Sequence, residues 1–216
     1  MESVSVKRID QIFSDMSRKY IGFREKLRAK HQREGKTLLF VHELCECSYK
    51  REMRQRFPDI EKAETYNPRF AVGQLIEEAL KQRFQNEGNH VYTKELVVDG
   101  KTYVISGMID IIEPETETLI EVKYQTFLQG KLYEHHILQL RLYMWLVNMK
   151  KGELLYVSPE GIKSFIIRKP LTDGEVIKLI REEKTPRWNE WECYYCSYQR
   201  FCNRSNYKHR KRKASR

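Results

Sequence analysis

No stretch of this chain approaches the roughly 20 consecutive apolar residues that a membrane-spanning helix needs. Met1 to Asp10 likewise lacks the apolar core of a secretory leader. Both absences lead us to expect a cytoplasmic protein with no membrane contact. Cysteine is scarce and odd in number, five in all: Cys45, Cys47, Cys193, Cys196 and Cys202. In a chain without a leader, that count argues against a disulfide framework and for metal ligation. There is no internal repeat, and no low-complexity stretch outside the C-terminus. What is present suits one folded domain: 216 residues, 40% apolar and 32% charged, enough for a core under a charged surface and too apolar for a mainly disordered chain.

The net charge of +10 is unevenly placed. Arg204 to Arg216 carries seven basic residues and no acid, leaving 33 basic against 30 acidic side chains elsewhere. The basicity is thus largely an appendage. A tail of this kind suits a phosphate backbone, and equally a solvated, disordered terminus.

Periodicity divides the rest. Ile9, Ile12, Phe13, Met16, Tyr20, Phe23 and Leu27 recur at helical steps over 5–34, ending at Gly35. Thr37 to Val41 is a short apolar stretch, and Glu43 to Phe57 reads as a helix stopped by Pro58. A helix over 69–86 offers Phe70, Leu75, Ile76, Ala79, Leu80 and Phe84 to a core. Then the period changes. His90 to Val98 and Lys101 to Glu113 are strands joined by Asp99-Gly100, a hairpin signal, and a turn at Pro114 leads into a strand from Leu119 to Tyr124. A helix over 132–150, strands over 153–158 and 161–168, and a helix over 171–184 capped at Thr172 or Asp173 complete the pattern. Helices, a three-stranded meander, a helix, two strands and a helix make an α/β fold, a mixed central sheet flanked by helices. We divide the chain into an N-terminal helix (1–36), a core (37–190), a cysteine segment (191–203) and a basic tail (204–216).

Two clusters carry chemistry. Asp110 interrupts the apolar run Val104, Ile105, Met108, Ile109, Ile111, Ile112, where a lone carboxylate is costly to bury. Across the Pro114 turn, Glu121 and Lys123 share one strand face. If the two strands pair, Asp110 and Glu121 lie side by side and need a cation between them, and oxygen ligands favour Mg²⁺ or Mn²⁺. The alternative is an exposed Glu–Lys pair with Asp110 partnering some other cation. The second cluster is C-x2-C-x5-C at Cys193, Cys196 and Cys202, completed by Cys45 or Cys47. Two positions on one helix diverge by about 200° at ~3.6 residues per turn, so only one of that pair should face the cluster. Four thiolates hold zinc or an iron–sulfur cluster, and spacing alone does not separate these.

These motifs resemble the RecB-type PD-(D/E)XK nucleases. Gly107-Met108-Ile109-Asp110 and Ile120-Glu121-Val122-Lys123 look like that family's second and third motifs, and Gln139 to Tyr143 like its Q-x3-Y helix. With His42-Glu43-Leu44-Cys45-Glu46-Cys47 upstream and Cys193, Cys196 and Cys202 downstream, the chain is similar over Leu38 to Asn203 to the CRISPR-associated exonucleases of the Cas four family. The resemblance implies a restriction-endonuclease-like core with Asp110, Glu121, Lys123, Gln139 and Tyr143 in catalysis. It implies Mg²⁺ or Mn²⁺ held by Asp110, Glu121 and the Val122 carbonyl, and an iron–sulfur cluster, 4Fe-4S rather than 2Fe-2S, on Cys47, Cys193, Cys196 and Cys202. Glu77, in the place of the family's His, reads as a third acidic ligand, and equally as a mark of reduced activity or a solvated helix residue beside Glu78. It further implies 5′→3′ cleavage of single-stranded DNA in CRISPR spacer acquisition with the integrase proteins, and room for homo-oligomers. Three positions depart from the family's pattern. Glu77 stands in Gly73-Gln74-Leu75-Ile76-Glu77 where the family has His, His42 replaces a capping Ser or Thr, and Cys45 is extra. Other readings are a non-catalytic binding module of the same fold, a viral or recombination nuclease of that branch, and a zinc protein. His135-His136 reads as DNA contact or packing, and Tyr194, Tyr195, Tyr198 and Phe201 as packing around the cluster or stacking on bases.

Overall fold

The computed structural model describes residues 4–65, 68–84, 91–128, 130–188 and 191–205. The basic tail beyond 205, Asn86 and Gly88 at the end of the third helix, and the side chains of Ile9 and Phe70 lie outside that description. In chain order the elements are α1 (Val4–Arg33), β1 (Thr37–Phe40), α2 (Val41–Leu44), α3 (Ser48–Arg56), α4 (Pro58–Thr65), α5 (Pro68–Arg83), β2 (Val91–Val98), β3 (Lys101–Met108), β4 (Ile111–Glu113), β5 (Thr118–Tyr124), α6 (Glu134–Leu146), β6 (Lys151–Ser158), β7 (Gly161–Ile167) and α7 (Asp173–Arg181).

The expected mixed α/β architecture is present, with its strands divided between two sheets ordered β1-β3-β2 and β4-β5-β6-β7. The apolar stretch at 37–41 becomes β1, pairing parallel to β3 from Thr37↔Tyr103 to Phe40↔Ser106. The strand expected over 101–113 breaks at Ile109 and Asp110, so β3 serves one sheet and β4 the other. Asp99 and Gly100 both take positive φ (51° and 75°), the backbone that a two-residue hairpin of matching twist requires.

Between the sheets runs α6. Its Leu140, Leu142, Met144 and Leu146 pack with Leu39, Ile105, Leu119 and Leu154 from both sheets. Each fully buried leucine of this kind contributes about 1.5–3 kcal/mol. The helix is shorter than the expected 132–150, because Asn148 turns into positive φ (59°) ahead of β6. A second layer forms where Ile76 and Leu80 of α5 pack on Ile111, Ile120 and Val122.

Three sequence expectations are corrected. Pro58 stops α3 but also opens α4, because proline fits a first helical turn whose N–H has no partner anyway. Cys45 and Cys47 lie between α2 and α3 rather than on one helix. His42 is inside α2, not at its cap; Phe40 holds that position and its N–H donates to Glu43 Oε2 at 2.9 Å. On α1, Ile12 and Phe23 are exposed, while Ser17, Arg24 and His31 are buried. The helix is turned this way because its partner surface is charged. Arg24 pairs with Glu61 at 2.7 Å, Arg28 pairs with Glu43, and both guanidinium groups lie over the Phe40 ring, at 4.8 and 5.0 Å.

Candidate active site and cysteine cavity

The break at 109–110 creates the carboxylate site. The β4–β5 ladder pairs Ile111↔Ile120, Ile112↔Leu119 and Glu113↔Thr118, and one further step sets Asp110 opposite Glu121. The Val122 N–H donates to Asp110 Oδ2 at 2.9 Å, fixing that carboxylate against β5. Glu121 is only 2% exposed; Lys123 Nζ donates to its Oε1 at 2.6 Å, while Oε2 is buried without a hydrogen-bond partner. An orphaned carboxylate oxygen of this kind is expensive unless something else neutralises it.

The third acid comes from α5. With Ile76 and Leu80 facing the sheet, Glu77 is carried to the same end, and burial followed by the Asp110 charge pushes its pKa up to about 7. Burial and Asp110 push Glu121 up to about 8, against the opposing pull of Lys123. Burial works against a charged Lys123, yet the surrounding acids Glu121, Asp110 and Glu77 hold it above the ordinary lysine value. Glu77 and Glu121, both pushed up by burial and the Asp110 charge, make with Asp110 and the unpartnered oxygen a donor set that suits a hard divalent cation. In their present positions, no three His, Cys, Asp or Glu side chains among the described residues stand together as a metal-holding group. Lysines occupy the space instead: Lys123 beside Glu121, and Lys81 Nζ 3.8 Å from Asp110 Oδ1.

Lys81 was not singled out from sequence, although it stands four residues after Glu77 and so on the same helix face. Gly107 is also more than a motif letter: a Cβ there would lie 2.5 Å from a ring carbon of Tyr143. The Tyr143 hydroxyl accepts from Gln139 Nε2 at 3.2 Å, and burial and the Glu121 charge hold its pKa well above the usual value. Tyr143 thus stands against β3 beside the acids, while Lys123 is held by Glu121 rather than by Gln139.

The cysteines gather separately. Cys47, Cys193, Cys196 and Cys202 line one cavity of about 320 Å³, together with Lys50 and Arg204, whose charges would offset thiolates. Cys45 also reaches that wall, but it is buried in the main core, where burial pushes its thiol well up. Tyr49, Met53 and Tyr198 form a small core under Cys47, Cys196 and Cys202. Glu192 ties the distant pieces together, accepting from the N–H groups of Cys47, Arg187 (2.7 Å) and Trp188 (3.1 Å). Nothing in the sequence marked it, because its partners are backbone groups 145 residues away and just upstream. The four sulfurs share one cavity with nearby cations, although in their present positions no three of them, among the described residues, stand together as a metal-holding group.

His135 and His136 do not converge on an ion. His136 Nδ1 is 2.9 Å from the Tyr156 hydroxyl, and the His135 ring packs 4.7 Å from Trp191 on the cysteine cavity wall.

No protein-family model matches the chain. It is 29% identical over 183 residues to the CRISPR-associated exonuclease Cas4 of Saccharolobus solfataricus, spanning 80% of this chain and 90% of that protein. Its fold is similar to the crystal structure of SSO0001, with a TM-score of 0.73 and 27% identity over 78% of this chain and 87% of that one. A looser likeness runs to an alkaline exonuclease from Laribacter hongkongensis, with a TM-score of 0.44, 17% identity, and 72% and 87% of the two chains covered. The resemblance carried by a few motifs is borne out over four fifths of the chain.

Proposed function

We propose that this chain, similar along most of its length to the Cas4 exonuclease, is a divalent-metal-dependent deoxyribonuclease whose reaction centre is Asp110, Glu121, Glu77 and Lys123. The observation that carries the reading is the buried, unpartnered Oε2 of Glu121, opposite Asp110 and beside the Lys123 ammonium. Asp110, Glu121, Glu77 and the Val122 carbonyl would hold Mg²⁺ or Mn²⁺. The ion would polarise the scissile phosphate and acidify the attacking water. Lys123, kept charged by its acidic neighbours, offers a fixed positive charge to the phosphate oxygens as negative charge builds. Asp110 is anchored by the Val122 N–H and so presents a constant face to the substrate. Tyr143, wedged on Gly107 and bonded to Gln139, braces β3 immediately before Asp110 and acts as a positioning residue.

The same proposal covers the finer points: single-stranded DNA cut 5′→3′, work alongside integrase proteins in CRISPR spacer acquisition, self-association, and a 4Fe-4S cluster on Cys47, Cys193, Cys196 and Cys202. That cluster would tie α3 to the C-terminal segment, its binding energy becoming folding energy. Among the described residues no helix is long and apolar enough to cross a membrane, in keeping with work on DNA in solution.

Cleavage of 5′-labelled single-stranded DNA in Mn²⁺ is the test, with Lys123→Ala and EDTA as controls. Cutting by the unaltered protein and by neither control is the expected result. If all three are inert while the visible absorbance of the cluster is intact, the fold serves binding alone.

A further inference from the structure

The aromatic residues of the cysteine segment fall into two sets. Tyr198 is fully buried in the small core with Tyr49 and Met53, and the Phe201 ring sits 5.2 Å from Phe57. Tyr198 is core, whereas Phe201 makes that contact and is still 57% exposed. Trp191, Tyr194 and Tyr195 are 38%, 56% and 74% exposed within five residues of chain, more apolar ring than a surface loop normally shows water. Tyr194 and Tyr195 stand edge to face, 4.9 Å between centroids, each steadying the other.

The acids nearest the segment are already paired: Glu46, on the same cavity wall as Tyr195, meets Arg54 and Lys50, and Glu64 meets Lys50. Over 191–205 the exposed charged residues are Arg200 and Arg204, and the one acid, Glu192, is buried with its carboxylate taken up by three backbone N–H groups. Exposed rings on a segment whose own exposed charges are both arginines, with the nearby acids already paired, suit a polyanion that also carries flat faces.

From these rings a track leads to the reaction centre. Trp191 packs on His135 at 4.7 Å, His135 on His136 at 4.1 Å, and His136 meets Tyr156, which pairs with Lys123 in the β5–β6 ladder. Tyr195 shares the cavity wall with His135 and Gln139, and Gln139 holds Tyr143.

We propose that Trp191, Tyr194 and Tyr195, with Arg200 and Arg204, form a base-stacking platform that receives single-stranded DNA on the cysteine segment and delivers it along the start of α6 to Lys123. Unpaired bases are the chemistry these rings recognise, because a duplex keeps its base faces stacked on one another. The direction of delivery rests on the nuclease reading; the platform does not.

Binding is therefore measured apart from cleavage, by fluorescence anisotropy of labelled oligonucleotides with the full cluster-bearing chain in EDTA at fixed salt. The probes are a thymidine oligonucleotide and an abasic one of equal phosphate number. Tyr195→Ala and Trp191→Ala should each lose about tenfold in affinity for the thymidine strand, the size of one stacked base. Tyr195→Phe should bind like the parent, and the abasic strand should bind parent and Tyr195→Ala equally. Unchanged affinity of both alanine variants, equal losses on both probes, or no binding by the parent would overturn the platform; the first outcome would make the rings a protein-docking surface. Visible absorbance and melting temperature check that each variant is folded. Cleavage in Mn²⁺ is run in parallel. A parent that binds but never cuts removes the nuclease reading alone, whereas Tyr195→Ala cutting with unchanged KM removes the platform alone.

Discussion

Asp110 and Glu121 are held in place by backbone rather than by each other: one carboxylate is fixed by the Val122 N–H and the other sits on a strand paired on both sides. Asp110→Asn keeps the shape and that hydrogen bond but removes a charge. We expect it to abolish Mn²⁺-dependent cleavage, a drop of about a hundredfold or more, with the melting temperature of the metal-free protein unchanged or raised. A cleaving Asp110→Asn would take Asp110 out of the reaction. Gly107 is a different kind of residue, wanted for its missing side chain. Gly107→Ala drives a methyl into the Tyr143 ring and the Val41 methyl, and should cost about 1–3 kcal/mol in urea denaturation. It should also slow cleavage through the displaced ring. His136 gives a pH signature. Burial, then the charge of Lys123, lowers its pKa from 6.5 to about 2, so the folded form binds fewer protons than the unfolded one. Stability is therefore lost as the pH falls below about 6.5. His136→Gln, whose amide can still meet Tyr156, should flatten the fall of melting temperature between neutral pH and pH 4; an unaltered slope would place the acid sensitivity elsewhere.

At the scale of elements, the cysteine segment has almost no regular structure of its own. It is held by its small core and by Glu192, which takes three N–H groups from two other stretches of chain. Glu192→Ala leaves those donors without their acceptor, at about 1–3 kcal/mol. The visible absorbance of the proposed cluster should then bleach faster in chelator, with a lower melting temperature; equal bleaching rates would mean that Glu192 does not hold the segment to the cluster. The helix pair α3 and α4 illustrates how punctuation misleads. Pro58 reads as a stop, and it is one, but it also fits the first turn of the next helix. The break at Ile109 and Asp110 was invisible for a related reason. Apart from Asp110 the apolar run continues unchanged across it, and the change of sheet depends on β1 and β5, which pair with β3 and β4.

For the molecule as a whole, α1 is fastened to α2 and α4 by buried charge rather than by an apolar stripe. Arg24 faces Glu61 and Glu43 with almost no solvent, and Arg54 joins Glu46 in the same network. Without Arg24, Glu61 loses its 2.7 Å partner and keeps only Arg54 at 3.8 Å, while Glu43 keeps Arg28, so Arg24→Ala should lower stability by about 1–3 kcal/mol in chemical denaturation. A loss under about 1 kcal/mol would show that water reaches the pair.

What the sequence determined by itself is local or strictly periodic: the helix and strand types, the Asp99-Gly100 hairpin, the register that sets Asp110 opposite Glu121, and the spacing of Cys193, Cys196 and Cys202. Each follows from neighbours a few residues apart, whose geometry the backbone fixes. The tertiary structure decided which of Cys45 and Cys47 is buried in the core, and that Lys81 stands beside Asp110. It also decided that Tyr198 packs while Tyr195 faces water, and that α1 buries arginine instead of phenylalanine. Those outcomes turn on which distant surfaces meet, and a side chain's burial is a property of the meeting, not of the residue.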